Sequence, residues 1–260
     1  MPVIVVKQLG KWFSTTQGDE LRALDDVSFQ VEENEFLCIL GPSGCGKSTL
    51  LNIFCGLETP SNGSVTIRTG PSGRPSVGYI FQEARLLPWR TVIQNVKFVV
   101  DPLPLDSNEA IRRIGESLEL VGLAKFAHAY PHELSGGMQQ RVALARALAT
   151  DPEILLMDEP FSSLDEITAR EMRNMLLQLW ERRKKTIVFV THNMFEAAFL
   201  SDRILLMTRR PGKIYRTVVT GLPRPRNYDD PNVFAVSVNV SRDFLRDIGA
   251  ERDLRGGRAV

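Results

Sequence analysis

Lys47 and Ser48 close a run rich in glycine, Gly41-Pro42-Ser43-Gly44-Cys45-Gly46-Lys47-Ser48-Thr49. Glycine has no Cβ, so successive backbone N–H groups of such a run can curl around anionic oxygens. The pattern G-x-x-x-x-G-K-[ST] is met at every required position. It offers Lys47 as a point charge for β- and γ-phosphates and the Ser48 hydroxyl for Mg2+. A flexible Gly/Ser turn is the plain alternative, and the flanks argue against it. Phe36-Leu37-Cys38-Ile39-Leu40 is an apolar run fit for a strand buried on both faces. Residues 48–54 read as a helix ended by Gly56. Strand, glycine loop and helix place phosphates at a helix N-terminus, where the dipole favours anions. A dinucleotide fold would want G-x-G-x-x-G and a later acidic residue, and the Lys47-Ser48 pair speaks against it.

Two further apolar runs end in polar chemistry. Glu153-Ile154-Leu155-Leu156-Met157 leads into Asp158-Glu159-Pro160, and Thr186-Ile187-Val188-Phe189-Val190 leads into Thr191-His192. In open parallel sheets, ligands sit beyond the carboxyl ends of the strands. Three such strands would bring Lys47, Asp158, Glu159 and His192 to one edge. Asp158 is then the carboxylate for Mg2+, alongside Ser48 or through a water. Glu159, one residue on, projects differently and suits a general base for an attacking water. His192 can hold that water or sense the γ-phosphate; a lone histidine is more often structural, and its strand-end position shifts the balance. A second glycine pair lies in Leu134-Ser135-Gly136-Gly137-Met138-Gln139-Gln140-Arg141. Taken alone it is a loop before a helix over residues 139–148; beside the first run it reads as another backbone nest.

The elements that must position these groups fit one large domain with appended pieces, in 260 residues. The chain is 43% hydrophobic with net charge +1, which gives no strong pull on nucleic acid or membrane. No apolar run approaches the roughly 18 residues of a membrane span. Met1-Pro2-Val3-Ile4-Val5-Val6-Lys7 reads as a strand, too short for a signal peptide. Cys38, Cys45 and Cys55 lack zinc spacing and suit a reducing compartment. Strand-like segments lie in residues 1–35 and 63–81, among them Asp26-Val27-Ser28-Phe29-Gln30-Val31 and Val77-Gly78-Tyr79-Ile80-Phe81. Residues 91–150 read helically, with Ile111, Ile114, Leu118 and Val121 at helical spacing. Leu222-Pro223-Arg224-Pro225-Arg226-Asn227 reads as an extended linker, because residues before proline avoid the helix. Asp230-Pro231 opens a last helix to about Ile248, and the charged, Gly-rich tail over residues 251–260 is expected to fray.

The set G-P-S-G-C-G-K-S-T, Gln82, L-S-G-G-M-Q-Q-R, I-L-L-M-D-E-P, S-S-L-D and His192 resembles the nucleotide-binding subunit of an ATP-binding-cassette (ABC) transporter, in order and spacing over roughly residues 3–220. The resemblance implies an α/β fold of the P-loop NTPase (RecA-like) class. Its mostly parallel sheet core carries an antiparallel β-subdomain, which the strand-like segments of residues 1–35 and 63–81 would build, and an α-helical subdomain over about residues 83–150. The cassette would span residues 1–221, with linker, helix and tail over 222–260. It implies ATP and Mg2+ as ligands, with Pro42, Ser43, Gly44, Cys45, Gly46, Lys47, Ser48 and Thr49 on the phosphates. Gln82, with Ser48 and Asp158, would address the metal, and Gln82 and His192 the γ-phosphate. It further implies that Ser135, Gly136, Gly137 and Gln140 cap the nucleotide held by a second copy, with Asp165 at the seam. Phe13 matches the aromatic that stacks on adenine; Trp12 is adjacent and either ring could stack. One of the two is expected in the core.

Glu83-Ala84-Arg85-Leu86-Leu87-Pro88-Trp89, Arg210-Pro211-Gly212-Lys213-Ile214 and Leu222-Pro223-Arg224-Pro225-Arg226 resemble importers of nitrate, sulfonate, taurine and related small solutes. The implied partners are a second ATP-binding subunit (self or a close paralogue), two transmembrane permease subunits, and a periplasmic or lipid-anchored solute-binding protein. No nucleic-acid partner is expected. The implied place is peripheral, on the cytoplasmic face of the inner membrane. Leu86, Leu87 and Trp89 form either core packing or an apolar groove for a permease helix. A non-transport cassette ATPase, such as that of iron–sulfur cluster assembly, is the second reading, distinguished by a soluble partner. A nucleic-acid or ribosome-linked cassette is the third, and the coiled-coil or zinc insertion or second cassette it usually carries is not seen in the sequence.

Overall fold

A computed structural model describes residues 1–14, 18–69 and 75–256. In chain order the elements are β1 (Pro2–Ser14), β2 (Glu20–Glu32), β3 (Phe36–Leu40), α1 (Lys47–Phe54), β4 (Asn62–Ile67), β5 (Val77–Ile80), α2 (Val92–Val100) and α3 (Ser107–Leu120). They continue with α4 (Gly136–Ala149), β6 (Ile154–Asp158), α5 (Glu166–Arg183), β7 (Thr186–Thr191), α6 (Met194–Leu200), β8 (Arg203–Met207), β9 (Ile214–Val219) and α7 (Pro231–Gly256). The chain divides into two compact units, residues 1–68 with 186–260, and residues 69–185.

The first unit carries two sheets. β2, β1 and β4 form an antiparallel sheet with β1 in the middle. β3 lies between β7 and β8 and is parallel to both, while β9 closes the edge antiparallel to β8. Every residue of β3 and of β7 is buried, as parallel strands covered on both faces require. Phe36 and Phe189 meet edge to face across this pair, with centroids 6.4 Å apart. The register sets Leu40 beside Thr191, so the loops after β3 and β7 leave from the same level. Gly41 N–H donates to Thr191 O at 3.4 Å and continues that ladder into the glycine loop.

In the second unit β5 and β6 run parallel, Val77 opposite Ile154 and Ile80 opposite Met157. The strand expected over residues 77–81 among the antiparallel segments thus pairs in parallel instead. Gly78 allows it: a Cβ there would come within 2.9 Å of Pro152 Cγ and 3.2 Å of Leu155 Cδ1. α2 opens on a capping box, Thr91 with Gln94. On α3, Ile114 and Leu118 are buried and Val121 follows them inward, while Ile111 stays exposed. α7 begins at Pro231 as expected and continues past Ile248 to Gly256. Residues 257–260, the end of the expected tail, lie outside the described residues. Leu222–Asn227 has no regular secondary structure, and the chain on both sides of it belongs to the first unit.

Candidate nucleotide site

The glycine loop is built by its own backbone. Cys45 N–H donates to Pro42 O at 3.3 Å, and Leu50 N–H reaches Gly46 O at 2.9 Å to start α1. Gly46, the N-cap of α1, has φ 105° and gives the helix no side-chain cap. Only glycine takes that conformation freely, and a Cβ would also come within 2.7 Å of Leu24 Cδ2 and 2.8 Å of Ala23 O. The first N–H groups of α1 are therefore aimed outward from a fixed turn without a local side-chain acceptor, the geometry that binds anions at helix N-termini. Lys47 is only 4% exposed, and its ammonium donates to Gly41 O at 2.9 Å and Pro42 O at 3.1 Å. A buried ammonium held on two carbonyls of the same loop is ready to take phosphate oxygens. Ser48 is exposed beside it, and Ser43 and Gly44 are exposed at the loop tip. Cys45 is buried beneath the loop, so its thiol faces the interior and only its backbone serves the cradle. Arg210, which sequence reading left without a site role, donates Nε–H to Gly44 O at 3.0 Å.

His192 follows β7 and is exposed, one residue past the Thr191 carbonyl that receives Gly41 N–H. Asn193 caps α6 behind it, accepting from the N–H groups of Phe195 and Glu196. Thr191 Oγ1 donates to the buried Glu196 at 2.7 Å. Nearby, burial pushes the Cys38 thiol well up, with Glu196 adding to the rise and Lys47 opposing it, so Cys38 stays a protonated core residue. Trp12 and Phe13 are both half-exposed, so the core position expected for one of them is not found. Phe13 carries the Lys11 ammonium 4.7 Å from its ring centroid, and Trp12 lies against Gly10 and Arg22.

In the second unit Asp158 ends β6, 8% exposed, and accepts from the Tyr79 hydroxyl at 3.4 Å. Glu159 has φ 42°, a left-handed conformation uncommon for a glutamate, and turns the chain sharply off the strand. Its carbonyl accepts from Ser162 N–H at 3.1 Å and Ser162 Oγ–H at 2.9 Å. Gln82 Nε2 donates to the same Ser162 hydroxyl at 3.3 Å. Ser162 thus ties the Gln82 side chain to the Glu159 backbone. The sequence contains it within S-S-L-D, yet nothing in a one-dimensional pattern pairs it with Gln82, 80 positions away.

Ser135 is the N-cap of α4 and its hydroxyl accepts from Met138 N–H at 3.3 Å. A Cβ on Gly136 would meet nothing, whereas one on Gly137 would strike the Thr168 side chain. Thr168 N–H donates to Asp165, the N-cap of α5, at 3.0 Å. A hydrogen bond from the Thr168 side chain, with that bond and other backbone N–H groups, holds the Asp165 carboxyl below its ordinary range. The structure therefore sets the first turns of α4 and α5 side by side, with Ser135 and Asp165 at their tips. Gln140, expected on the nucleotide, is buried and donates to Phe81 O at 3.1 Å. One turn inside α4, its amide lies against the residue before Gln82 rather than at the exposed end of the helix.

Asn95 is fully buried and brackets the loop before α2: it accepts from Leu87 N–H and donates to the carbonyls of Leu87, Arg90 and Thr91. Arg146 donates to Ala84 O and Arg85 O. This pinned loop leaves Trp89 71% exposed, with Phe98 and Phe126 exposed as well. Core packing is excluded for Trp89; Leu86 and Leu87 are half-buried. Among the described residues no group of three or more His, Cys, Asp or Glu could cage a metal, and no helix is long and apolar enough to cross a membrane.

Residues 24–162 match the family model described as ABC transporter. An uncharacterized ABC transporter ATP-binding protein of Methanocaldococcus jannaschii is 48% identical, over 85% of this chain and 84% of that protein. An aliphatic sulfonates import ATP-binding protein of Bacillus cereus is 41% identical over 93% of this chain and 95% of that one. A taurine import ATP-binding protein of Rhizobium johnstonii is 44% identical over 82% of each. A solved dimeric post-hydrolysis state of an ATP-binding cassette, bound to ADP and phosphate, is 34% identical with TM-score 0.72, covering 83% of this chain and 98% of that one.

Proposed function

This chain belongs to the ABC transporter family as one of its ATP-binding proteins, an ATPase of the P-loop fold, and from that premise we propose that it drives import of a small sulfonate- or taurine-like solute. The observation that carries the ATP reading is the first turn of α1: a helix N-terminus with no side-chain cap, set behind Gly46 at φ 105°, beside a buried ammonium. ATP phosphates satisfy those donors and neutralise Lys47 together. Ser48 and Asp158 are oxygen donors of the kind Mg2+ takes, and few protein ligands suit a cation that keeps waters and phosphate oxygens in its shell. Bound there, Mg2+ neutralises charge building on the β- and γ-phosphates.

Glu159 acts as the base that receives the proton of the attacking water. Its strained backbone, worth on the order of 1–3 kcal/mol, is the kind of distortion that clusters at working sites. Gln82 and His192 orient that water and register the γ-phosphate, Gln82 through the Ser162 link to the Glu159 turn. Phe13 stacks on adenine, with the adjacent Trp12 as the alternative ring. Ser135, Gly136 and Gly137 close over ATP held by a second cassette, with Asp165 at the seam; a dimeric relative with ADP and phosphate supports the pairing. Gln140 braces Phe81 from below. The cassette spans residues 1–221, its helical subdomain lies at about 83–150, and residues 222–260 form the C-terminal appendage.

The permease contact is assigned to Trp89 with Leu86 and Leu87, because an exposed indole on a loop fixed by Asn95 is an anchor of the sort that carries about 2 kcal/mol or more when covered. A solute-binding protein outside the membrane completes the importer, which holds this chain peripherally on the cytoplasmic face of the inner membrane. Pull-down of the tagged chain from detergent-solubilised membranes tests the assembly: two copies of an integral membrane protein should co-purify, and Leu87→Asp with Trp89→Ala should release them while basal ATPase stays near normal. Recovery of a soluble partner alone, as for the iron–sulfur assembly ATPases, would reject the importer.

A further inference from the structure

Two arginines of Leu222-Pro223-Arg224-Pro225-Arg226 are aimed at one end of the short helix behind His192. Arg226, 5% exposed, donates from Nη1 to Ala198 O at 3.1 Å, Phe199 O at 3.0 Å and Ser201 O at 2.8 Å. Its Nη2 reaches Thr220 Oγ1 and Leu222 O, both at 3.2 Å. Arg224 Nη2 donates to Leu200 O and to Asp202 Oδ1, each at 2.7 Å. Asp202 Oδ2 in turn accepts from Phe36 N–H at 3.0 Å, at the start of β3. Four consecutive carbonyls, residues 198–201, thus accept from two guanidinium groups. These are the carbonyls a helix C-terminus leaves without intrahelical donors, and the dipole there favours cations.

α6 has only seven residues, Met194–Leu200, too few to hold itself together in water. Its position is imposed from both ends. At the front, Asn193 caps it and Thr191 holds Glu196, with His192 between them. At the back stand Arg224 and Arg226. Tyr228, just beyond the arginines, packs on the flank against Phe195 and Phe199, with centroids 4.7 and 5.7 Å away. A two-turn helix clamped this way transmits displacement of its C-terminus to its first residue, because hydrogen-bonded turns shift as a unit. In that arrangement the proline-rich segment serves the histidine rather than merely spanning to α7.

We propose that Arg226, seconded by Arg224, is a positioning residue for His192, acting through α6. This rests on the reading of His192 as the residue that meets the γ-phosphate and water. Arg226→Lys keeps the charge but loses the planar fork that serves three carbonyls at once. In the full-length chain it should lower kcat by about tenfold or more while ATP KM stays within about twofold, as expected when a catalytic group is misplaced and the binding site is not. In a His192→Ala background the same change should alter residual single-turnover hydrolysis by less than about twofold, since residues acting as a unit are not additive. If Arg226→Lys does not fold, Arg224→Gln, which removes the Leu200 contact, is measured by the same criteria. Wild-type kcat in the folded variant overturns the proposal. So does a loss of the same factor in the His192→Ala background, which marks a general structural role. Wild-type kcat in His192→Ala alone would instead sink the histidine reading on which this one stands.

Discussion

Two helix N-termini face the same task with opposite preparation. α1 begins behind Gly46 with no side-chain cap, its lysine already buried on loop carbonyls. α4 begins behind Ser135, whose hydroxyl caps its own helix through Met138 N–H at a long 3.3 Å. The N-cap of the first, Gly46, offers its helix no side-chain hydrogen bond. The second is satisfied while alone and must give up or share its cap to meet a phosphate. On the proposed reading, ATP binds on the first cradle and the second is recruited only when another cassette brings it close. Binding and hydrolysis then become separable, since one chain suffices for the former and two are needed for the latter.

Lys47→Ala should break the first cradle outright. Its charge-assisted hydrogen bonds to phosphate are worth ~1.5–3 kcal/mol, so without them nucleotide binding weakens by about tenfold or more and turnover ceases. Equilibrium binding of a fluorescent ATP analogue and a phosphate-release assay check both halves. Ser135→Ala should do the reverse: ATP binding to the isolated chain stays normal while ATPase falls by about tenfold, with a thermal shift reflecting the absence of a cap worth about 1 kcal/mol. Equal damage to binding would mean the two cradles act in one chain. Gly136→Ala is the subtlest probe. Among the described residues the new methyl meets nothing, and alanine favours a helix by about 0.5–1 kcal/mol, so melting temperature should hold or rise. ATPase should nevertheless drop severalfold if, as proposed, nucleotide held by a second cassette approaches Gly136. Unchanged ATPase in that variant would remove Gly136 from the site.

Much of this contrast was legible in the residues. A Lys-Ser pair after spaced glycines, between an apolar run and a helical one, has a single physical use, and β3 and α1 fall where that pattern put them. Local signals failed where partners are distant in sequence. Gln140 is placed on the nucleotide by the family resemblance, and its buried amide donates to Phe81 O within this chain, a contact that only packing reveals. The strand over residues 77–81 carried no mark of parallel pairing, because pairing direction depends on the connection rather than on the strand's own residues. One of the adjacent aromatics Trp12 and Phe13 was expected in the core, yet both are half-exposed toward the end of β1. The arginines of Leu222-Pro223-Arg224-Pro225-Arg226 read as part of a linker, since backbone carbonyls, their actual partners, have no signature in sequence.

Glu159→Gln gives the most direct test of the two-chain site, because it removes the base while leaving shape and nucleotide contacts in place. Light scattering after gel filtration in saturating MgATP should give twice the single-chain mass, returning to the single-chain mass when nucleotide is omitted or when Ser135→Ala is added. A Glu159→Gln chain that holds ATP yet elutes at the single-chain mass would contradict it.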